Sequence, residues 1–122
     1  MTILEGIRLE TSTRDADGYT VLDVSGEVDV YTAPKLKEAI GAILTSGQVH
    51  LIVNMERVTY MDSSGFGTLL GALKRVRPEG GTVNLVNVCT AIERMLNITR
   101  LNTILNIVPS LEEAISNIRQ ST

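Results

Sequence analysis

With 122 residues, 43% of them apolar and 20% charged, the chain has the make-up of one ordinary globular domain; three Tyr, one Phe and no Trp leave its core to Val, Ile, Leu and Ala. A formal net charge of −3 and a pI near 5.1 argue against a nucleic-acid binder held by bulk electrostatics and against polybasic attachment to a membrane. A lone Cys89 excludes an internal disulfide and a thiolate metal cluster, and no apolar run approaches the ~18 residues of a membrane span.

The opening Met1-Thr2-Ile3-Leu4-Glu5 lacks the basic and apolar regions of a signal peptide, so a cytoplasmic location is expected. Ile3 to Thr13 alternates loosely and reads as a strand, Asp15-Ala16-Asp17-Gly18 as a turn, and Tyr19 to Val24 as a second strand ending at Ser25-Gly26. The two runs predict an antiparallel hairpin. Thr32 before Ala33-Pro34 suits the cap and proline-tolerant first turn of a helix, and Leu36, Ala39, Ile40 and Ile43 recur at helical spacing to about Leu44. Ser46-Gly47 stops that helix. Leu51-Ile52-Val53 follows as the continuous apolar run of a strand covered on both faces.

A loop is expected from Glu56 to Asp62. Beyond it Phe66, Leu69, Leu70, Leu73 and Val76 form one apolar stripe of a second helix, ended by Pro78 and Gly80-Gly81. Thr82 to Val88 reads as the next strand. Thr90-Ala91-Ile92-Glu93 is a capping box opening a helix that carries Ile92, Met95 and Leu96. Thr103 to Val108 reads as a short strand, and Ser110-Leu111-Glu112-Glu113 is a second capping box, with Ala114, Ile115 and Ile118 facing inward. The order β-β-α-β-α-β-α-β-α requires crossovers, so the expected fold is α/β, one domain over residues 1–122, with a mostly parallel central sheet, an antiparallel N-terminal strand and about four helices.

The stretch with the most chemistry is Met61-Asp62-Ser63-Ser64-Gly65-Phe66-Gly67, where a loop is expected to open a helix. The first N–H groups of a helix have no partner inside it, and its dipole favours negative charge there by ~0.3–1 kcal/mol. Ser63 therefore suits either of two roles, a helix cap or the carrier of a phosphate. Catalytic alternatives lack their parts. Met61 stands where a nucleophile elbow around Ser63 needs its first glycine. His50 is the sole histidine and opens a strand, so zinc chemistry has no ligand set. Gly65-Phe66-Gly67-Thr68-Leu69-Leu70-Gly71 is one residue off the dinucleotide fingerprint and lies within a helical stripe. No cofactor is called for, and a binding protein is expected rather than an enzyme.

A companion motif, Gly26-Glu27-Val28-Asp29 followed by Thr32-Ala33, precedes the Asp62-Ser63-Ser64-Gly65-Phe66-Gly67 run, with Leu51-Ile52-Val53 between. In order and spacing, over nearly the whole chain, this resembles the STAS-domain anti-sigma factor antagonists. The resemblance implies a STAS-like fold, phosphorylation of Ser63, and a partner that is both anti-sigma factor and serine kinase. The unphosphorylated antagonist would bind that partner and release a sigma factor; phosphorylation would end the binding, and a metal-dependent serine phosphatase would restore it. Carried over, Asp29 lies near Ser63 on the contact face, Asp62 flanks the acceptor, and Met61, Ser64, Gly65 and Phe66 complete the patch, with neither nucleic acid nor membrane involved. Phe66 stands where the family usually has Leu: a packing change if it faces the core, as its stripe suggests, and a change of partner choice if it is partly exposed. Gly65 and Gly67 answer either to a partner's backbone coming close or to tight helix–sheet packing. STAS domains also serve as scaffolds or subunits of lipid-transport and stressosome assemblies; the intact acceptor run favours the antagonist.

Overall fold

The computed structural model describes residues 8–121. Its elements follow the expected order: β1 Leu9–Ala16, β2 Tyr19–Val28, α1 Ala33–Thr45, β3 His50–Met61, α2 Ser63–Val76, β4 Thr82–Val86, α3 Thr90–Ile98, β5 Asn106–Val108 and α4 Leu111–Gln120. Single 3-10 turns at Arg77–Glu79 and Leu101–Thr103 follow α2 and α3. The five strands form one sheet in sequence order, with β1 antiparallel to β2 and the other neighbours parallel.

The β1–β2 hairpin closes on Asp17-Gly18 alone, both at positive φ (54° and 89°), the two-residue turn whose twist matches that of the strands. Asp15 and Ala16, expected in the turn, are paired strand residues. The part of the first predicted strand before Arg8 lies outside the described residues.

Side chains of adjacent strand residues point to opposite faces, and the core divides accordingly. Leu22, Val24, Leu51, Val53, Val83 and Leu85 face α1, α2 and α3, whose Leu36, Ile40, Phe66, Leu69, Leu73, Ile92 and Leu96 complete the larger cluster. Val21, Ile52, Val86 and Val108 face α4 through Ala114, Ile115 and Ile118. Leu51-Ile52-Val53 is thus covered on both faces, as its composition predicts.

The expected loop from Glu56 to Asp62 is instead the second half of β3, which runs to Met61. Its pairing with β2 slips twice: Asp23 and Ser25 pair with Asn54 and Arg57, then Gly26 and Glu27 with Val58 and Tyr60. Each slip adds a residue to β3 and stretches the apolar repeat from every second to every third residue, so that Met55, Val58 and Met61 are all buried. The same region hides the end of β2, which passes through Gly26 to Val28. Three further boundaries differ. β4 stops at Val86, the last strand is only Asn106–Val108, and α3 is capped from Cys89, so Thr90 is its first helical residue rather than its cap. Met95 on that helix is exposed, while Ile92 and Leu96 are buried. Ser110 caps α4 as predicted, accepting the Glu113 N–H at 3.2 Å.

Helix α4 covers only part of its face, and the sheet beyond it is polar. Arg14 donates to both carboxylate oxygens of Asp23 (2.7 and 3.3 Å), and Asn54 donates to Asp23 at 2.8 Å. Burial alone would raise the Asp23 carboxyl; the bonds from Arg14 and Asn54 outweigh it and hold the group below its ordinary range. A depressed carboxyl stabilises the fold above its unfolded pKa of about 3.9, and that contribution is lost as pH falls through the folded value. Asp23→Asn is therefore expected to flatten the acid limb: its melting temperature, followed by circular dichroism, falls less than the parent's between about pH 5 and pH 3.

Candidate functional site

Val28 stands beside Met61 where β2 and β3 end, so both strands hand over to helices at one edge of the sheet. The C-terminal edge of parallel strands is where open α/β sheets bind what they bind. The Asp62 N–H donates to the Val28 carbonyl at 3.1 Å, which ties the two strand ends together. Asp62 then turns the chain into α2: its carboxylate accepts the Ser64 N–H at 2.8 Å and its carbonyl accepts those of Gly65 and Phe66 at 3.0 and 3.1 Å. The cap is thus the aspartate. Ser63 follows as the first helical residue with its side chain exposed; Ser64 is half-buried.

On the β2 side, Asp29 closes the loop into α1. One carboxylate oxygen accepts the N–H groups of Tyr31 and Thr32 at 2.9 and 3.0 Å. The other forms an ion pair with Arg8, which also lies 3.6 Å from Glu27. The Thr32 hydroxyl donates to the Glu27 carbonyl at 2.8 Å and accepts the Asp29 N–H at 2.9 Å. Thr32 holds the cap position of α1, as expected, but its hydroxyl fastens the loop instead of the helix.

The predicted residues separate into an upper and a lower tier. Asp29, Asp62, Ser63 and Ser64 reach the surface, whereas Met61, Gly65 and Phe66 are buried and support that surface from below. Phe66 therefore continues the core stripe. At Gly65 an added Cβ would lie 2.4 Å from Met61 Cγ and 2.8 Å from Val28 Cγ1, so helix–sheet packing accounts for that glycine. Gly67 differs: nothing lies within 4 Å of a Cβ placed there. Gly67→Ala is expected to raise the melting temperature by roughly 2–5 °C, since replacing glycine in an exposed helix interior contributes ~0.5–1 kcal/mol. Differential scanning fluorimetry checks this, and a fall would mean the space above Gly67 is not open.

Sequence reasoning missed four residues of this edge. Arg8 makes its contact across more than twenty positions of chain, and no local pattern announces it. Val30, Tyr31 and Tyr60 are 62%, 82% and 50% exposed, large apolar groups beside two acidic ones. The signal available for Val30-Tyr31 was an apolar pair between a strand end and a helix cap, where polar residues are usual. Aromatic groups of this kind are frequent anchors in protein interfaces.

Among the described residues, no group of three or more His, Cys, Asp or Glu is placed to hold a metal ion. His50 sits at the far end of β3, its Nδ1 2.8 Å from Thr82 Oγ1, and burial lowers its pKa. No described helix is long and apolar enough to cross a membrane.

The STAS domain family model matches residues 10–114. The anti-sigma-B factor antagonist of Listeria monocytogenes is 36% identical over 101 residues, covering 83% of this chain and 88% of the relative. That of Staphylococcus aureus is 34% identical over 101 residues, covering 83% and 92%. A crystal structure of an anti-sigma factor antagonist from Mycobacterium paratuberculosis superposes with a TM-score of 0.83 at 31% identity, covering 91% of this chain and 94% of that one.

Proposed function

Because the chain belongs to the STAS-domain anti-sigma factor antagonist family, we propose that it acts as a binding module switched by phosphorylation of Ser63. The unphosphorylated form binds an anti-sigma factor that is also a serine kinase, and a sigma factor is released. Phosphate on Ser63 ends the binding, and a serine phosphatase resets the protein. It works in the cytoplasm as a single STAS domain over residues 1–122, without catalysis of its own, and touches neither nucleic acid nor membrane.

The observation that carries this reading is the division of labour at the start of α2. Asp62 satisfies the helix end, so the exposed Ser63 hydroxyl is not needed as a cap. A phosphate there adds roughly −1.5 to −2 charge at pH 7. The helix dipole favours that charge by ~0.3–1 kcal/mol and Asp62 opposes it, so the fold tolerates it. The apolar Val30, Tyr31 and Tyr60 supply area for a partner to cover, and the phosphate would confront that partner at the same edge.

The test is to incubate the protein with ATP and the anti-sigma factor kinase of its host and to map the modified residue by mass spectrometry. Phosphate on Ser63, absent in Ser63→Ala, supports the reading. Stable binding to that kinase with no phosphate transferred would leave a scaffold role instead.

A further inference from the structure

Arg8 lies at the entry of β1, where its carbonyl accepts the Glu27 N–H at 2.7 Å and its guanidinium reaches Asp29 and Glu27. Its side chain is 38% exposed, that of Asp29 only 13%. Asp29 leads into the loop that presents Val30 and Tyr31, and its other oxygen accepts two N–H groups of that loop. The pair with Arg8 therefore fixes the carboxylate on which the loop is folded.

The same cation, through Asp29, stands at the strand edge from which Ser63 also leaves, since the Asp62 N–H is bonded to the Val28 carbonyl. Glu27 pairs with Tyr60 and Val28 with Met61, so the Arg8 backbone is two strand spacings, about 10 Å, from β3, which ends at Met61 two residues before Ser63. A dianion on Ser63 would stand near Asp29 and Asp62, which repel it. Guanidinium binds phosphate in a two-pronged, charge-assisted geometry that a carboxylate with half the charge does not outcompete.

We propose that Arg8 is the positioning residue of the switch: it pins Asp29 in the unmodified protein and transfers to the phosphate once Ser63 is phosphorylated, releasing the Val30–Thr32 loop. Modification then acts twice on a partner, through the new charge and through the loosened apolar loop. The proposal rests on the reading of Ser63 as the phosphoacceptor, and its test is built so that the two fail separately.

Phosphoserine is installed at position 63 during translation, without any kinase, and titrated by phosphorus NMR in the parent, Arg8→Gln and Arg8→Lys proteins. The second phosphate ionisation lies ordinarily near pH 6. The titratable groups nearest the strand edge are Glu27, Asp29 and Asp62, and His50 lies at the opposite end of β3, more than about 30 Å away. With Arg8 on the phosphate, the parent should hold that proton about threefold or more weakly than Arg8→Gln, with Arg8→Lys between them. The Tyr31 and Thr32 amide resonances should also move on phosphorylation in the parent and not in Arg8→Gln. Equal titration of parent and Arg8→Gln overturns the proposal, because an arginine that only anchors β1 would not alter the phosphate. A kinase that ignores Ser63 overturns the function proposed above and leaves this measurement standing.

Discussion

Ser63→Asp is expected to weaken capture of the proposed anti-sigma factor partner by about 30-fold or more, while the melting temperature stays within a few degrees of the parent's. The two halves of this prediction come from different places. On the free protein, the new carboxylate stands at the first helical position of α2, where the dipole favours it by ~0.3–1 kcal/mol and the neighbouring Asp62 opposes it by a similar amount. Ser63 is exposed, so no core contact is lost. In the proposed complex, the partner would cover the charge. An unpaired charge buried in an interface costs ~2–5 kcal/mol, or roughly 30-fold to several thousand-fold in affinity. Calorimetry or surface-based binding with the partner measures the first effect, thermal denaturation the second. A large fall in melting temperature would make Ser63 a structural residue; unchanged affinity would move the interface elsewhere. Ser63→Ala is the control, expected to keep binding and lose the switch.

The parts of this fold that could be read in the sequence are those whose patterns are local. Leu51-Ile52-Val53 and the stripe from Phe66 to Val76 repeat at the spacing of their own elements, and Ser110 caps a helix that starts beside it. The second half of β3 could not be read so directly. Its apolar residues fall every third position because β3 bulges twice against β2, and that spacing belongs to no regular strand. Thr90 shows a related limit: it carries a capping-box pattern, yet Cys89 stands at the cap, and no side-chain bond there distinguishes the two. At the site, the Asp62-Ser63 run and Asp29 were visible as motifs because chemistry and spacing coincide in them. Arg8 and Tyr60 were not, since the Arg8–Asp29 ion pair and the pairing of Tyr60 with Glu27 span long stretches of chain.

Gly26→Ala should be the most damaging small substitution in the site region, lowering the melting temperature by roughly 10 °C or more. Gly26 has φ 116°, a region in which side chains strain the backbone by ~1–3 kcal/mol. A Cβ there would also lie 2.0 Å from the Arg8 carbonyl oxygen, 2.9 Å from its carbon and 3.2 Å from Leu9 Cα. These are backbone atoms of a paired strand, so they cannot swing aside as the end of a flexible side chain would. Relief requires β1 to lift at its entry, which breaks the Glu27 N–H to Arg8 bond at a further cost of ~0.5–1.5 kcal/mol. The sum, ~1.5–4.5 kcal/mol, is a large fraction of a typical domain's stability. The damage extends to the site, because lifting Arg8 draws its guanidinium from Asp29 and unpins the loop that carries Tyr31. Partner affinity of the folded fraction, measured well below the melting transition, should therefore fall as well, which lost stability alone would not produce. A fall of less than about 3 °C would show that β1 accommodates the methyl group without moving, and the account of Gly26 as a close-approach residue would fail.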